Sequence, residues 1–279
     1  MFLDYIEIGT SDFDTEIQKN DNRIGISIEA VNDYVIRLPE KCGCIKLNRA
    51  VSNYNGNIKI NYLSRDLIKK YNLSRYVKGC NSVNMYHPTI SKILAQRGID
   101  IKDVATSDDV QCNTLIHIMN EYDVSGLFLL KVDTEGHDCI ILNHFFLHNK
   151  DINLLPHYVI FESNSLTKKD DTENLIILLK DIGYDLISSG IDTYMRLNIG
   201  NVNKSFIFSN PIISYYIGSY PQGYDPLNLP HGNTLEEAQK YCIENKHSGV
   251  TYQNDRYEVR CGKYLEYHNS ARLISWILF

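Results

Sequence analysis

The sequence predicts an α/β fold: a largely parallel sheet with helices on both faces, followed by a small α+β module at the C-terminus. Three observations predict it. Through the first 210 residues, short apolar runs alternate with amphipathic stretches, the pattern of strands joined by crossover helices. Two of the runs, 126–132 (GLFLLKV) and 158–162 (YVIFE), are apolar almost throughout, as in strands covered on both faces. After about Pro211 the composition turns to Pro, Gly and Tyr, which marks a connector.

In chain order, residues 2–8 make a first strand that stops at Gly9, residues 23–29 (RIGISIE) a second and 43–47 a third. Residues 58–63 alternate apolar and polar, as in a sheet strand or hairpin arm. Helical periodicity appears at 31–38, 64–71, 89–96, 114–122 and 138–146. A further helix at 173–182 (ENLIILLKDI) is stopped by Gly183. Late strands at 185–188 and 205–208 close the sheet. Beyond the connector, residues 234–244 (TLEEAQKYCIE) form a helix with Thr234 as N-cap and Glu237 completing a capping box. Short strand-like pieces at 249–253, 256–260 and 275–278 complete a module of residues 219–279, separate from a main domain of residues 1–210.

Composition narrows the function classes. The chain has 279 residues, 43% hydrophobic and 22% charged, so it can bury a normal core without disulfides or a structural metal. Its net charge is −6 and no basic run exceeds a pair, which argues against a nucleic-acid partner held through phosphates. A small nucleotide or a sugar remains compatible. The seven cysteines are odd in number, and the close pair Cys42-Gly43-Cys44 matches neither zinc nor thioredoxin spacing. Reduced thiols of an intracellular protein are expected, with Cys242 and Cys261 able to pair in an oxidising compartment. The start Met1-Phe2-Leu3-Asp4 lacks the basic residues of a signal peptide. No apolar run approaches the ~20 residues of a membrane span. A soluble, cytoplasmic protein is expected.

Chemistry concentrates at strand ends. Glu7 and Gly9 close the first strand, and Glu29 follows Gly9 by twenty residues at the end of the second. In open α/β sheets ligands bind just beyond the carboxyl ends of the strands. A glycine there admits a ligand closely, and a carboxylate at this spacing can bond ribose hydroxyls. The run 127–138 (LFLLKVDTEGHD) places Asp133, Glu135 and His137 at the same edge. Such groups serve proton abstraction, metal ligation or helix capping. The plainer alternatives are that Asp133 or Glu135 caps the helix starting near Gly136 and that His137 points to solvent.

The blocks YIEIGTSDFDT, SIEA, NRAVSNYNG, QCNTL, LLKVDTEGHDCIIL and YVIFE, in this order over roughly residues 2–200, resemble the FkbM-type family of S-adenosylmethionine-dependent O-methyltransferases. The resemblance implies a Rossmann-like class I methyltransferase sheet and methyl transfer to a hydroxyl of a sugar, glycan or small metabolite. Glu7 and Gly9 then match the first cofactor motif, with Thr10, Ser11 and Asp12 continuing it. Glu29 matches the ribose-binding acid, with Ala30 beside it. Ala50, Val51 and Ser52 match the block after the third strand. Ser107, Asp108, Val110 and Gln111 match the region near the adenine. Asp133 and its neighbours match the acidic motif beside the transferred methyl group.

Two departures stand out. The glycine-rich turn is replaced by Gly9-Thr10-Ser11-Asp12-Phe13-Asp14, with no second glycine, and with the first strand at residues 2–8 no covering N-terminal helices are expected. Residues 75–88 (RYVKGCNSVNMYHP), which include His87, are candidates for a lid instead. Asp133 or His137 is the expected base with Glu135 adjacent, His87 being a weaker candidate. A divalent metal (Mg or Mn) on Asp133, Glu135 and His137 is the alternative way to lower the acceptor pKa. The C-terminal module resembles PAN/apple-type recognition modules without their full cysteine set. Its Trp276 and tyrosines offer a glycan or protein contact, or simply form its core. The competing function is a Rossmann-type binding protein that has lost catalysis. A nicotinamide-dependent oxidoreductase is disfavoured because G-x-G-x-x-G is absent after the first strand.

Overall fold

The structure is a computed structural model and describes residues 1–19, 22–83, 85–202, 214–217, 219–221, 234–253, 256–267 and 274–277. The strands of the main domain are β1 (Phe2–Ile8), β2 (Gly25–Glu29), β3 (Cys44–Asn48), β4 (Ala50–Val51), β5 (Gly56–Tyr62) and β6 (Ser82–Val83), then β7 (Thr106–Asn113), β8 (Gly126–Val132), β9 (Tyr158–Glu162), β10 (Tyr184–Ser189) and β11 (Asp192–Leu197). Its helices are α1 (Asn32–Val35), α2 (Arg65–Lys70), α3 (Pro88–Ala95), α4 (Leu115–Glu121), α5 (Asp138–His148) and α6 (Lys169–Ile182).

The main sheet runs β10-β11-β9-β8-β1-β2-β3. β3, β2, β1, β8 and β9 are mutually parallel, and β11 lies antiparallel between β9 and β10. The chain winds outward from β1 to β3, then returns to β8 on the other side of β1. Strand order therefore reverses between β1 and β8, and the crevice beyond their carboxyl ends is where such sheets bind ligands.

Ile6, Ile8, Leu130 and Val132 share one core with Ile118 of α4, Phe145 of α5 and Leu179 of α6. On the opposite face Tyr5 and Leu129 pack with Ile17 and Leu38, both from turns. The helix expected over 31–38 shrinks to α1, losing residues 36–38 ahead of Pro39, which disfavours helical backbone in the residue before it. The second helical layer is correspondingly thin among the described residues.

The closing antiparallel pair is β10 with β11. The arm expected at 205–208 is supplied instead by residues 192–197, and 205–208 lie outside the described residues. Between β3 and α4 the chain builds a second sheet, β4-β7-β5-β6, which stands over the carboxyl ends of β2 and β3.

At the C-terminus, β12 (Ser214–Ile217), β13 (Ser219–Pro221), α7 (Leu235–Glu244), β14 (Gly249–Gln253), β15 (Arg256–Arg260), β16 (Leu265–Tyr267) and β17 (Ile274–Ile277) follow. An antiparallel sheet β12-β17-β14-β15 carries α7, whose Ala238 and Cys242 pack on Val250 and Val259. Pairing of β12 with β17 begins at Ser214, ahead of the expected module start at 219. Thr234 is the N-cap, as expected, its Oγ1 accepting the Glu237 N–H at 3.2 Å. Most of the expected connector, and the Trp276 side chain, lie outside the described residues. Tyr264 donates to Asp185 at 2.5 Å, and the Lys263 carbonyl accepts the Ile199 N–H at 2.8 Å, docking this part on the main domain. Cys242 and Cys261 remain thiols, and no disulfide forms among the described residues. No helix among them is long and apolar enough to cross a membrane.

Candidate functional site

Loops at the exits of β1, β2, β8 and β9 build the site. Gly9 has φ +79°, and a Cβ there would lie 1.8 Å from the Asp133 carbonyl oxygen, so the β1 and β8 exits touch backbone to backbone. The Asp133 N–H donates to the Ile8 carbonyl and ties the two exits, while the Gly9 N–H ties the β1 exit to β2 at the Ile28 carbonyl, each at 2.9 Å. Ser11 then takes φ +50° without being glycine. Its N–H donates to Glu29 Oε2 at 2.7 Å, while Glu29 Oε1 accepts the Val31 N–H at 2.7 Å. The carboxylate thus closes a turn that lacks its second glycine. Burial pushes Glu29 up to about 7, against the opposing pull of those N–H bonds.

Glu7 and Asp12 brace the same loop. Glu7 accepts from Ser27 Oγ at 2.5 Å and from the N–H groups of Glu16 and Ile17 at 2.6 and 3.2 Å; burial raises its pKa. Its oxygens are engaged by the protein, so it braces the loop, and the residue also lines the cleft. Asp12 points away from the cleft to Lys78 Nζ at 2.8 Å and to Arg65. Burial opposes its ionisation, but these cations win and hold its carboxyl below the usual range. Thr10 donates to the Ser11 carbonyl at 3.1 Å.

The cleft has two adjoining lobes that share Gly9, Gly79, Asp133 and Glu135. The first is walled by Glu29, Ala30, Ala50, Val51, Ile60 and His137, so the second sheet forms one side of it. The second is walled by Thr10, Ser11, Phe13, Tyr76, Cys80 and Glu162. Residues 76–83 of the expected lid line both. Ser107 and Asp108 line neither. They sit on β7, where Ser107 bonds Asn61 and Asp108 accepts from the Tyr62 hydroxyl at 2.8 Å.

At the β8 exit, Asp138 settles the capping question. Its Oδ2 accepts the Thr134 N–H and hydroxyl at 3.2 and 2.8 Å, and its Oδ1 the Glu162 N–H at 3.2 Å. Burial, offset by these bonds, lifts it to about 6. No side chain caps α5 at His137, so Asp133 and Glu135 are left to the cleft. Asp133 rises to about 7 through desolvation of its carboxyl and then the charges of Asp138 and Glu135, although the residue as a whole is exposed on the open cleft. Glu162 rises to about 9 through burial, then Glu135 and Asp133.

His87 and His137 are separated by this arrangement. His87 Nδ1 accepts the Thr89 N–H at 3.2 Å, so its proton resides on Nε2, which donates to Glu135 Oε2 at 3.2 Å. His137 turns into the first lobe, its Nε2 2.9 Å from Ser52 Oγ, and burial lowers its pKa. The positive φ of Glu135 (+53°) and Gly136 (+94°) swings it away from the acids. The expected trio of Asp133, Glu135 and His137 therefore does not converge. Ligand atoms within 4.8 Å of one another belong instead to Asp133, Glu135 and Glu162, and to Cys80, His87 and Glu135. Glu162 was not singled out in the sequence, although it ends an apolar strand just as Glu29 does.

Compared with known protein families, residues 7–186 match the Methyltransferase FkbM domain. The matched span runs from the end of β1 into β10 and contains every wall of the cleft. No curated protein and no solved structure matches the chain. Nothing in these comparisons supports a PAN/apple-type module beyond residue 186.

Proposed function

This chain belongs to the FkbM methyltransferase family, and from that premise we propose that it binds S-adenosylmethionine in the two-lobed cleft and methylates a hydroxyl of a sugar, glycan or small metabolite. The observation that supports this reading most is Glu29, a buried carboxylate on the wall of the first lobe beside Ala50, Val51 and Ile60. Each of its oxygens takes one backbone N–H and keeps a further lone pair, the acceptor that ribose hydroxyls need. The apolar walls suit the flat faces of a purine. Gly9, Thr10 and Ser11 offer close backbone approach for the methionine end.

S-adenosylmethionine supplies a methyl group already activated by its sulfonium. The chain then has to orient the acceptor hydroxyl and take its proton. Asp133 lies on the border of both lobes, and a carboxyl near 7 matches the requirement for a base at neutral pH. His137, kept neutral by burial, is a second base, although its Nε2 already meets Ser52. His87 cannot accept at Nε2, whose proton is given to Glu135. Glu135 positions the lid through that bond. The reading of a lapsed, purely binding protein rested on the altered turn after Gly9, which Glu29 closes.

Calorimetric titration with S-adenosylmethionine, S-adenosylhomocysteine and NAD, followed by acceptor screening, tests the proposal. Binding of the two adenosyl compounds but not NAD is expected. Asp133→Asn is expected to keep binding and lose turnover by about 10²–10⁴-fold. A protein that binds neither adenosyl compound refutes the reading.

A further inference from the structure

The second lobe ends in three carboxylates; Lys131 lines the same lobe, but its Nζ donates to the Asp14 carbonyl at 3.1 Å and pairs with none of them. Asp133 leaves the end of β8, Glu135 follows two residues later, and Glu162 ends the neighbouring strand β9, where Val132 pairs with Phe161. One oxygen from each lies within 4.8 Å of the others. At that separation two ionised carboxylates repel by about 4 kcal/mol at an effective dielectric constant near ~20. Among the described residues no lysine or arginine forms an ion pair with any of the three; Glu135 meets only His87.

Glu162 supplies an independent pointer. It is 9% exposed and lines the lobe. Its Oε1 accepts the Asn164 side-chain amide, but its buried Oε2 has no hydrogen-bond partner. A sealed carboxylate oxygen left unpaired costs about 1–3 kcal/mol, and buried carboxylates ordinarily acquire a proton, a donor or a metal.

We propose that Asp133, Glu135 and Glu162 bind one hard divalent cation, Mg²⁺ or Mn²⁺, at the border of the two lobes. Three carboxylate oxygens select the hard class and leave about three octahedral positions for water or acceptor oxygens. The neighbouring softer set is already satisfied internally. His87 uses both ring nitrogens, and the Cys80 thiol faces the Tyr76 carbonyl at 3.8 Å. The cation's role rests on the methyltransferase reading: it lowers the pKa of a coordinated acceptor hydroxyl beside Asp133. Its presence does not, because the ligands converge without any cofactor.

The test uses the full chain stripped with EDTA and titrated with Mn²⁺ alone, followed by electron paramagnetic resonance and then by Mg²⁺ competition. One Mn²⁺ per chain is expected, displaced by Mg²⁺ and weakened about tenfold or more in Glu162→Gln and in Asp133→Asn. Cys80→Ser should bind Mn²⁺ as the parent does. Circular dichroism and the thermal midpoint establish that each variant is folded; Asp133, the most exposed of the three ligands, is the second variant should Glu162→Gln unfold. No Mn²⁺ bound at about 1 mM overturns the proposal, as does binding unchanged in Glu162→Gln or binding lost in Cys80→Ser. Mn²⁺ bound by a protein that takes up no adenosyl compound supports the cation site and strikes the cofactor reading alone.

Discussion

Replacing Glu29 with alanine tests the turn and the cofactor site together, so its effect on stability has to be known first. The substitution removes the acceptor of two buried N–H groups, those of Ser11 and Val31, each at 2.7 Å. Each orphaned donor costs about 1–3 kcal/mol, or about 2–6 kcal/mol for the pair. Against this stands the burial of the carboxylate itself. Its pKa rises from 4.5 to about 7. At about 1.4 kcal/mol per pKa unit, the ionised form weakens the fold by about 3 kcal/mol relative to the protonated form.

The sign follows from which state holds the proton. Between pH 4.5 and about 7 the native chain keeps it while the unfolded chain has released it, so stability falls as pH rises. The stabilisation from the protonated carboxyl is complete below pH 4.5 and lost once pH passes about 7. Glu29→Ala has no such titration. The variant is therefore expected to trail the parent most at low pH, and between about pH 5 and about pH 8 the gap should narrow by about 2–3 kcal/mol. Guanidinium unfolding across that range, with the slope m checked for constancy, measures it. A gap that stays constant or widens with pH would refute the burial of Glu29 as an acid of raised pKa. Equal stability at every pH would show that the carboxylate does not hold the turn.

Three further outcomes are expected. Gly9→Ala combines a left-handed φ of +79° with a Cβ 1.8 Å from the Asp133 carbonyl; strain and overpacking together should cost about 2–5 kcal/mol in denaturant unfolding. His87→Asn keeps a capping side chain for α3 but loses the bond to Glu135. Its stability should change by no more than about 1 kcal/mol, while hydrogen exchange in residues 75–83 accelerates; unchanged exchange would deny the latch. Asp12→Asn loses the pairs to Lys78 and Arg65 and should cost about 1–3 kcal/mol at neutral pH. Because the Asp12 pKa is depressed, that advantage of the parent is present above 3.8, the ordinary value, and disappears as pH falls through the lower folded value, which acid titration of both proteins can follow.

What could be read in the sequence depended on how each element is held. The central strands are apolar because both their faces are covered, so β1, β2, β8 and β9 stood out, as did α6 with its stopping glycine. Gly9 and Glu29 were legible because strand ends are where an α/β sheet binds. β7 was not: its sequence TSDDVQCN is polar and half of it is exposed, and it is a strand because β5 pairs along its length. Sequence proximity also misled at Asp133, Glu135 and His137, because two successive positive φ angles redirect the chain. No periodicity reports such a turn. Glu162 was hidden for the opposite reason, since its partners come from β8, a neighbour in the sheet and not in sequence.

The acids around the cleft divide into two kinds, and the division explains how the cleft holds its charge. Glu7, Glu29 and Asp138 each take backbone N–H groups on both oxygens, and Asp12 takes two cations. These four fix the loops after β1, β2 and β8, and Asp12 ties Lys78 to the first of them. Asp133, Glu135 and Glu162 lack such saturation, yet the braces place them. Asp138 anchors the Glu162 N–H to the start of α5, and the Asp133 N–H is held by the Ile8 carbonyl. Backbone N–H groups lower the cost of ionising a buried carboxylate, although burial still lifts Glu29 to about 7 and Asp138 to about 6; one left without them must find a proton or a cation. The bracing acids supply rigidity, and the three they position face the cleft, where an acceptor or a cation can reach them.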